Sequence, residues 1–109
     1  HPIYSETPKD NSERSDMQKR LDPILRNHKV DIYACGHIHN FQHIRVPGSD
    51  IDYVVNTSAS LSRKVKAVEG TQFCSPEPGF SIFTVDKKEL DMHMVDKTGK
   101  VIYTVKRTK

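Results

Sequence analysis

The sequence predicts an α/β fold in which a mixed sheet is followed by closing antiparallel strands. Three observations carry this. A helix-period stretch runs up to Val30, a short apolar run over residues 31–35 ends at Gly36 and is followed by His37-Ile38-His39, and the last thirty residues alternate with period two.

In chain order, residues 5–14 are polar, contain Pro8 and lack periodicity, which reads as a loop. Ser15 then serves as an N-cap with Asp16 in the first turn. Met17, Leu21, Ile24 and Leu25 recur on one apolar face, giving a helix over 15–28. Pro23 kinks or splits that helix, and His28 and Lys29 complement the carbonyls at its end. Residues 31–35 form a short strand placed centrally in the sheet. Residues 41–46 leave as a second strand, Pro47-Gly48 turns the chain, and residues 51–55 return to make a hairpin. Residues 56–79 show no clear period and hold Ser60-Leu61-Ser62, a basic run and the breaker Ser75-Pro76-Glu77-Pro78-Gly79, so they read as a long loop. Phe80, Ile82 and Thr84, then Leu90, Met92 and Met94, then Val101, Tyr103 and Val105 mark three antiparallel strands separated by turns at 86–89 and 97–100.

The histidine pair falls at the carboxyl end of the 31–35 strand, where ligands collect in open α/β sheets. Neutral imidazole is the commonest protein ligand for borderline metals. A turn after Gly36 aims both rings into one crevice, whereas an extended strand would leave them on one face about 7 Å apart. Isolated histidines usually pack or are solvated, and two imidazoles do not close a coordination sphere.

The string Cys35-Gly36-His37-Ile38-His39-Asn40-Phe41-Gln42 resembles the final G-H-x-H motif of calcineurin-like metallophosphoesterases, particularly the purple acid phosphatase branch. His1-Pro2-Ile3-Tyr4-Ser5 resembles the end of that family's H-x-P segment. The helical stretch to Val30, the strand at Tyr53-Val54-Val55 and the closing hairpins follow in the same order. The resemblance covers most of the chain, yet the family's upstream D-x-H, G-D-x-x-D and G-N-H-D/E motifs are not in it. It therefore implies that residues 1–109 are a C-terminal fragment of one catalytic domain, half of a four-layer α/β/β/α sandwich.

What the resemblance implies for the site follows residue by residue. The position matching His37 binds the exchangeable divalent ion of a metal pair, and that matching His39 binds the site that holds ferric iron. Ile38 departs from the Asp or Asn common among relatives, which alters the surroundings of the metals more than their ligand count. The liganding histidine of H-x-P would precede residue 1, leaving His1 to line the cleft. A rival use of His1, copper held by its amine and imidazole as in oxidative polysaccharide-cleaving enzymes, has no other support in the chain. Gln42 and His43 follow on the outgoing strand, where alternation lets one of them approach a bound phosphate. Asn40 fixes the turn, Tyr4 packs or hydrogen-bonds near the cleft, and His93 is a surface residue.

The implied activity of the parent is phosphomonoester hydrolysis by a dinuclear metal centre of iron with zinc, manganese or a second iron. The bridging aspartate, the asparagine, the iron-binding carboxylate and tyrosine, and the general acid all belong to the missing half. No catalytic residue is thus expected in this chain, and little or no metal and no turnover from it alone. The alternative is a non-catalytic module that binds a protein through its sheet edge, with the histidines incidental or holding a single metal.

Composition bounds these readings. One domain at most fits 109 residues, and 35% apolar residues without tryptophan give a thin but real core. A half-domain leaves a sheet edge and an apolar face uncovered, so either the missing half or a second copy is the expected partner. The net charge of +3 comes mainly from the lysine-rich C-terminal third, which blunts edge strands and lacks the dense, aromatic-interleaved face of a nucleic-acid binder. No long apolar run spans a membrane. Two cysteines, Cys35 in a strand and Cys74 in a loop, make no disulfide framework. The sequon Asn56-Thr57-Ser58 sits at a strand end and is read as a chance match. A parent of this type is compatible with a periplasmic or secreted location.

Overall fold

A computed structural model of the chain describes residues 1–6 and 11–109. Two helices, α1 (Asn11–Arg20) and α2 (Asp22–Asn27), precede seven strands: β1 (Ile32–Cys35), β2 (Phe41–Ile44), β3 (Asp52–Val55), β4 (Thr71–Ser75), β5 (Gly79–Val85), β6 (Glu89–Asp96) and β7 (Val101–Thr108). The expected single helix over 15–28 is two helices. Pro23 occupies the first turn of α2, where its missing N–H costs nothing, so the break falls just before it at Leu21. α1 also starts earlier than Ser15. The expected loop over 5–14 gives way to helix from Asn11, and its residues 7–10 lie outside the described part.

The strands form a four-stranded sheet, order β1-β3-β2-β4, and a three-stranded sheet, order β5-β6-β7. β1 runs parallel to β3, and every other pairing is antiparallel. The mixed sheet, the β2–β3 hairpin and the three closing strands match the sequence reading. Two points do not. β1, expected at the centre, is an edge strand, and β4 lies inside the stretch read as loop. β4 has the strand-like pair Phe73-Cys74 but is otherwise polar, and it is held by pairing with β2 rather than by its own pattern. Gly70, at φ 87°, admits the chain to β4, and its carbonyl accepts the Arg45 N–H at 2.9 Å.

Helices, first sheet and second sheet stack as successive layers. Ile3, Ile44, Ile51 and Tyr53 are buried on the helix side of the first sheet, covered by Met17, Leu21 and Leu25. Ile24, expected on that face, is 55% exposed, because the break at Leu21 rotates α2 relative to α1. Between the sheets lie Phe41, Val54, Met92, Met94 and Val105, flanked by Ile32, Phe73 and Tyr103. Coverage stops short of β5. Along the rung that joins Val105, Met92 and Phe83, relative exposure runs 5%, 0% and 46%, so the core-facing side of β5 projects beyond the first sheet.

Two buried carboxylates pin the layers. Asp22 on α2 accepts hydrogen bonds from Tyr53, from the Tyr4 hydroxyl at 2.9 Å and from Arg26 Nε at 2.8 Å. Burial first, and then the bond to Asp22, push the Tyr53 hydroxyl up to about 12. Asp52 on β3 meets His43 at 2.7 Å, Arg45 at 2.8 Å and Arg107 of β7 at 2.8 Å. Burial alone would raise the Asp52 pKa, yet those three donors outweigh it and hold the carboxyl well below the usual range. Both cysteines are free thiols.

Candidate functional site

β1 ends at Cys35, and Gly36 releases the chain into a tight turn in which the Ile38 N–H donates to the Gly36 carbonyl at 2.9 Å. His37 (φ 71°) and His39 (φ 68°) both adopt left-handed backbone, which an L-residue enters only at a cost of about 1–2 kcal/mol. Ile38 between them is fully buried and plugs the turn into the core. Two strained histidines around one apolar anchor are a costly way to make a bend that glycine or asparagine would make cheaply.

Each imidazole has a distinct setting. His37 is exposed, and its ring stacks on His1 with centroids 3.8 Å apart and planes at 18°. The His1 Nδ1 lies 2.6 Å from the Glu13 carboxylate on α1, and the His1 carbonyl accepts the Tyr33 hydroxyl at 2.8 Å. His39 is half-buried, and its Nδ1 is a buried polar atom with no hydrogen-bond partner among the described residues. A buried nitrogen left without a partner costs on the order of 1–3 kcal/mol, so this atom is set up for a group it does not meet here.

The remaining expected residues separate. Asn40 is fully buried beneath the turn, its Oδ1 accepting from Gln42 Nε2 at 2.7 Å and its Nδ2 donating to the Lys64 carbonyl at 3.5 Å. Gln42 in turn accepts the Glu6 N–H at 2.9 Å and donates to Ser5 Oγ at 3.2 Å. His43 points to the other face of β2, where Asp52 and Tyr103 hold it between the sheets. Tyr4 reaches Asp22 rather than the turn. His93 is partly buried, with Nδ1 2.9 Å from Thr104 Oγ1.

The sequence reading missed two neighbours of the turn. Glu13 meets His1 because α1 begins earlier than its apolar pattern suggests. The Arg63 N–H donates to the His39 carbonyl at 2.9 Å, which seats the basic stretch against the site. The basic run was visible in sequence, but its attachment was not, since nothing periodic places it.

The donors do not by themselves make a metal site. Among the described residues no group of three or more His, Cys, Asp and Glu side chains converges, and a structural or catalytic zinc, for example, takes at least three protein ligands. His1 offers His37 the face of its ring rather than a second lone pair directed at a shared ion. Cys35, next to the turn, is a thiol whose pKa burial pushes up to about 11, and its Sγ donates to the Val54 carbonyl at 3.4 Å.

No family model matches the chain. Over 98 residues, 85% of its length, it is 31% identical to Purple acid phosphatase 3 of Arabidopsis thaliana and spans 27% of that protein. Among solved structures, GAP50, the anchor in the inner membrane complex of Plasmodium, superposes on 98% of the chain with a TM-score of 0.84 and 28% identity, the match taking up 34% of that chain. Vps29 of Entamoeba histolytica overlaps 84% of the chain, and 47% of its own, at a TM-score of 0.46 and 20% identity. The fold is thus metallophosphoesterase-like, and the chain spans about a quarter to a third of the relatives it matches.

Proposed function

We propose that the chain supplies His37 and His39 to a phosphoester-hydrolysing site whose other groups come from outside the described residues, and that alone it does not turn over phosphate esters. The observation that carries this is the unpartnered, buried Nδ1 of His39, held on a turn that keeps two histidines in left-handed backbone at the end of β1. Identity to a purple acid phosphatase supports the substrate class. A dinuclear centre needs donors that the described residues do not provide, so the reading stops at two imidazoles. The completing polypeptide would dock where the sandwich is open, along the unpaired edge of β1 and under the projecting Phe83 and Val85.

The purified chain tests both halves of this reading. No release of 4-nitrophenol from its phosphate ester is expected with added zinc, manganese or iron, and steady turnover would refute the predicted inactivity. In a zinc titration followed by the ring resonances of the six histidines, His37 and His39 are expected to move first. Movement that begins at His28 or His93 would remove the case for the turn.

A second reading, a binding module without catalysis, is favoured by the same open edge. β1 carries no charge, proline or bulge to guard it, and Val85, also on the core-facing side of β5, is 66% exposed. The structural relative that covers nearly the whole chain is itself described as an anchor. Binding that is lost on Phe83→Glu, in a chain that never yields activity with any completing polypeptide, would favour this reading.

A further inference from the structure

We propose that Arg63, Lys64 and Lys66 form a cationic rim beside the histidine turn and engage the second phosphate of a ligand whose first phosphate sits at His37 and His39. The proposal rests on the phosphoester reading of the turn. It adds the class of ligand, one carrying two linked phosphates.

The rim is tied to the turn rather than swinging past it. Two consecutive residues of each segment meet: the Arg63 N–H donates to the His39 carbonyl at 2.9 Å, and the Lys64 carbonyl accepts from Asn40 Nδ2 at 3.5 Å. Asn40 cannot drift, being fully buried and bonded to Gln42. The approach to the rim is fixed too. Ser58 Oγ accepts the amides of Ser60 and Leu61 at 3.2 and 3.3 Å, and the Ser58 carbonyl accepts the Gly79 N–H at 3.2 Å.

The charges of this segment are grouped with no acidic residue among them. Arg26, Arg45 and Arg107 are committed to Asp22 or Asp52, and the lysines of the closing sheet are interleaved with Asp86, Glu89 and Asp96. Arg63, Lys64 and Lys66 are exposed and, among the described residues, have no ion-pair partner. Three uncompensated like charges within four residues repel one another, and a polyanion relieves that repulsion. From backbone one hydrogen bond away, the stems of Lys and Arg are long enough to reach a phosphate next to the one at the imidazoles.

Calorimetric titration of the chain with inorganic pyrophosphate and with orthophosphate, at one low ionic strength, tests this. It is done for wild type, for Arg63→Gln/Lys64→Gln/Lys66→Gln and for His37→Asn/His39→Asn; asparagine tolerates the left-handed backbone, and the rim residues are exposed, so both variants keep the fold. Pyrophosphate is expected to bind at least about tenfold more tightly than orthophosphate, with the gap lost in the rim variant and both anions weakened in the histidine variant. A gap that survives the rim variant, or no binding of either anion by wild type, overturns the proposal. If the rim variant abolishes pyrophosphate binding while the histidine variant changes nothing, the shared ligand is overturned through failure of the phosphoester reading of the turn, not of the rim.

Discussion

His43 Nε2 lies 2.7 Å from Asp52 Oδ1 with both side chains buried, and this contact joins neighbouring strands β2 and β3 across the inner face of the first sheet. The tautomer that satisfies both ring nitrogens donates from Nε2 to Asp52 and accepts the Tyr103 hydroxyl at Nδ1, 2.8 Å away. Through Tyr103 and Arg107 the same cluster reaches β7, so the two sheets are fastened by polar contacts as well as by the apolar layer between them.

Asp52→Asn is expected to lower unfolding free energy by about 3 kcal/mol, because it removes the charge that Arg107 meets while leaving that guanidinium largely buried. Urea denaturation measures this. A loss under about 1 kcal/mol would show that Asp31 and Asp50, which also contact Arg107, suffice to compensate it.

Acid should unfold the wild type through the same carboxylate. The Asp52 pKa is depressed in the folded state, so its contribution is present above the unfolded value of about 3.9 and fades as the pH falls below it. Stability measured between pH 6 and pH 3 is expected to drop more steeply for wild type than for Asp52→Asn. Parallel curves would assign acid sensitivity to other groups.

Tyr53→Phe deletes a bond to a buried carboxylate and should cost about 2 kcal/mol. Tyr4 and Arg26 remain on Asp22, so α2 is expected to keep its helical signal by circular dichroism. Loss of that signal would mean that Tyr53 alone seats the helix.

His39→Gly separates function from architecture. It relieves the left-handed backbone and removes the unpartnered nitrogen, offsetting the lost packing and the added freedom of the unfolded chain. Stability is expected within about 0.5 kcal/mol of wild type, where an average substitution costs about 1 kcal/mol. A penalty above about 2 kcal/mol would make His39 a structural residue.

Cys35 should resist alkylation. In a Cys74→Ser background at pH 7.5, iodoacetamide is expected to react about 100-fold more slowly than with an ordinary thiol, following the rise of its pKa to about 11. Labelling at the ordinary rate would reveal frequent opening of β1 from β3.

Local signals sufficed where a segment decides its own conformation. Pro23 announced the helix break, Gly36 ended β1 before the histidines, and the alternation of Met92 and Met94 told which side of β6 faces the core. Pairing beyond the hairpins stayed hidden. β4 is a strand because β2 lies beside it, and β1 is an edge although its uncharged run suits a central position. The turn was legible from His37 and His39. The company it keeps was not, because Glu13 and Arg63 approach from distant parts of the chain and no spacing rule connects them.

The Asp52 cluster also sets an order of events during synthesis. His43, Arg45 and Asp52 emerge from the ribosome together, while their partners Tyr103 and Arg107 follow much later, on β7. Until those residues are released, one buried-to-be carboxylate oxygen and one imidazole nitrogen stay hydrated, and the first sheet has nothing to close against. The sandwich is therefore sealed by β7, and a nascent chain stalled before that strand would hold its helices and first sheet ajar, exposed to chaperones and proteases.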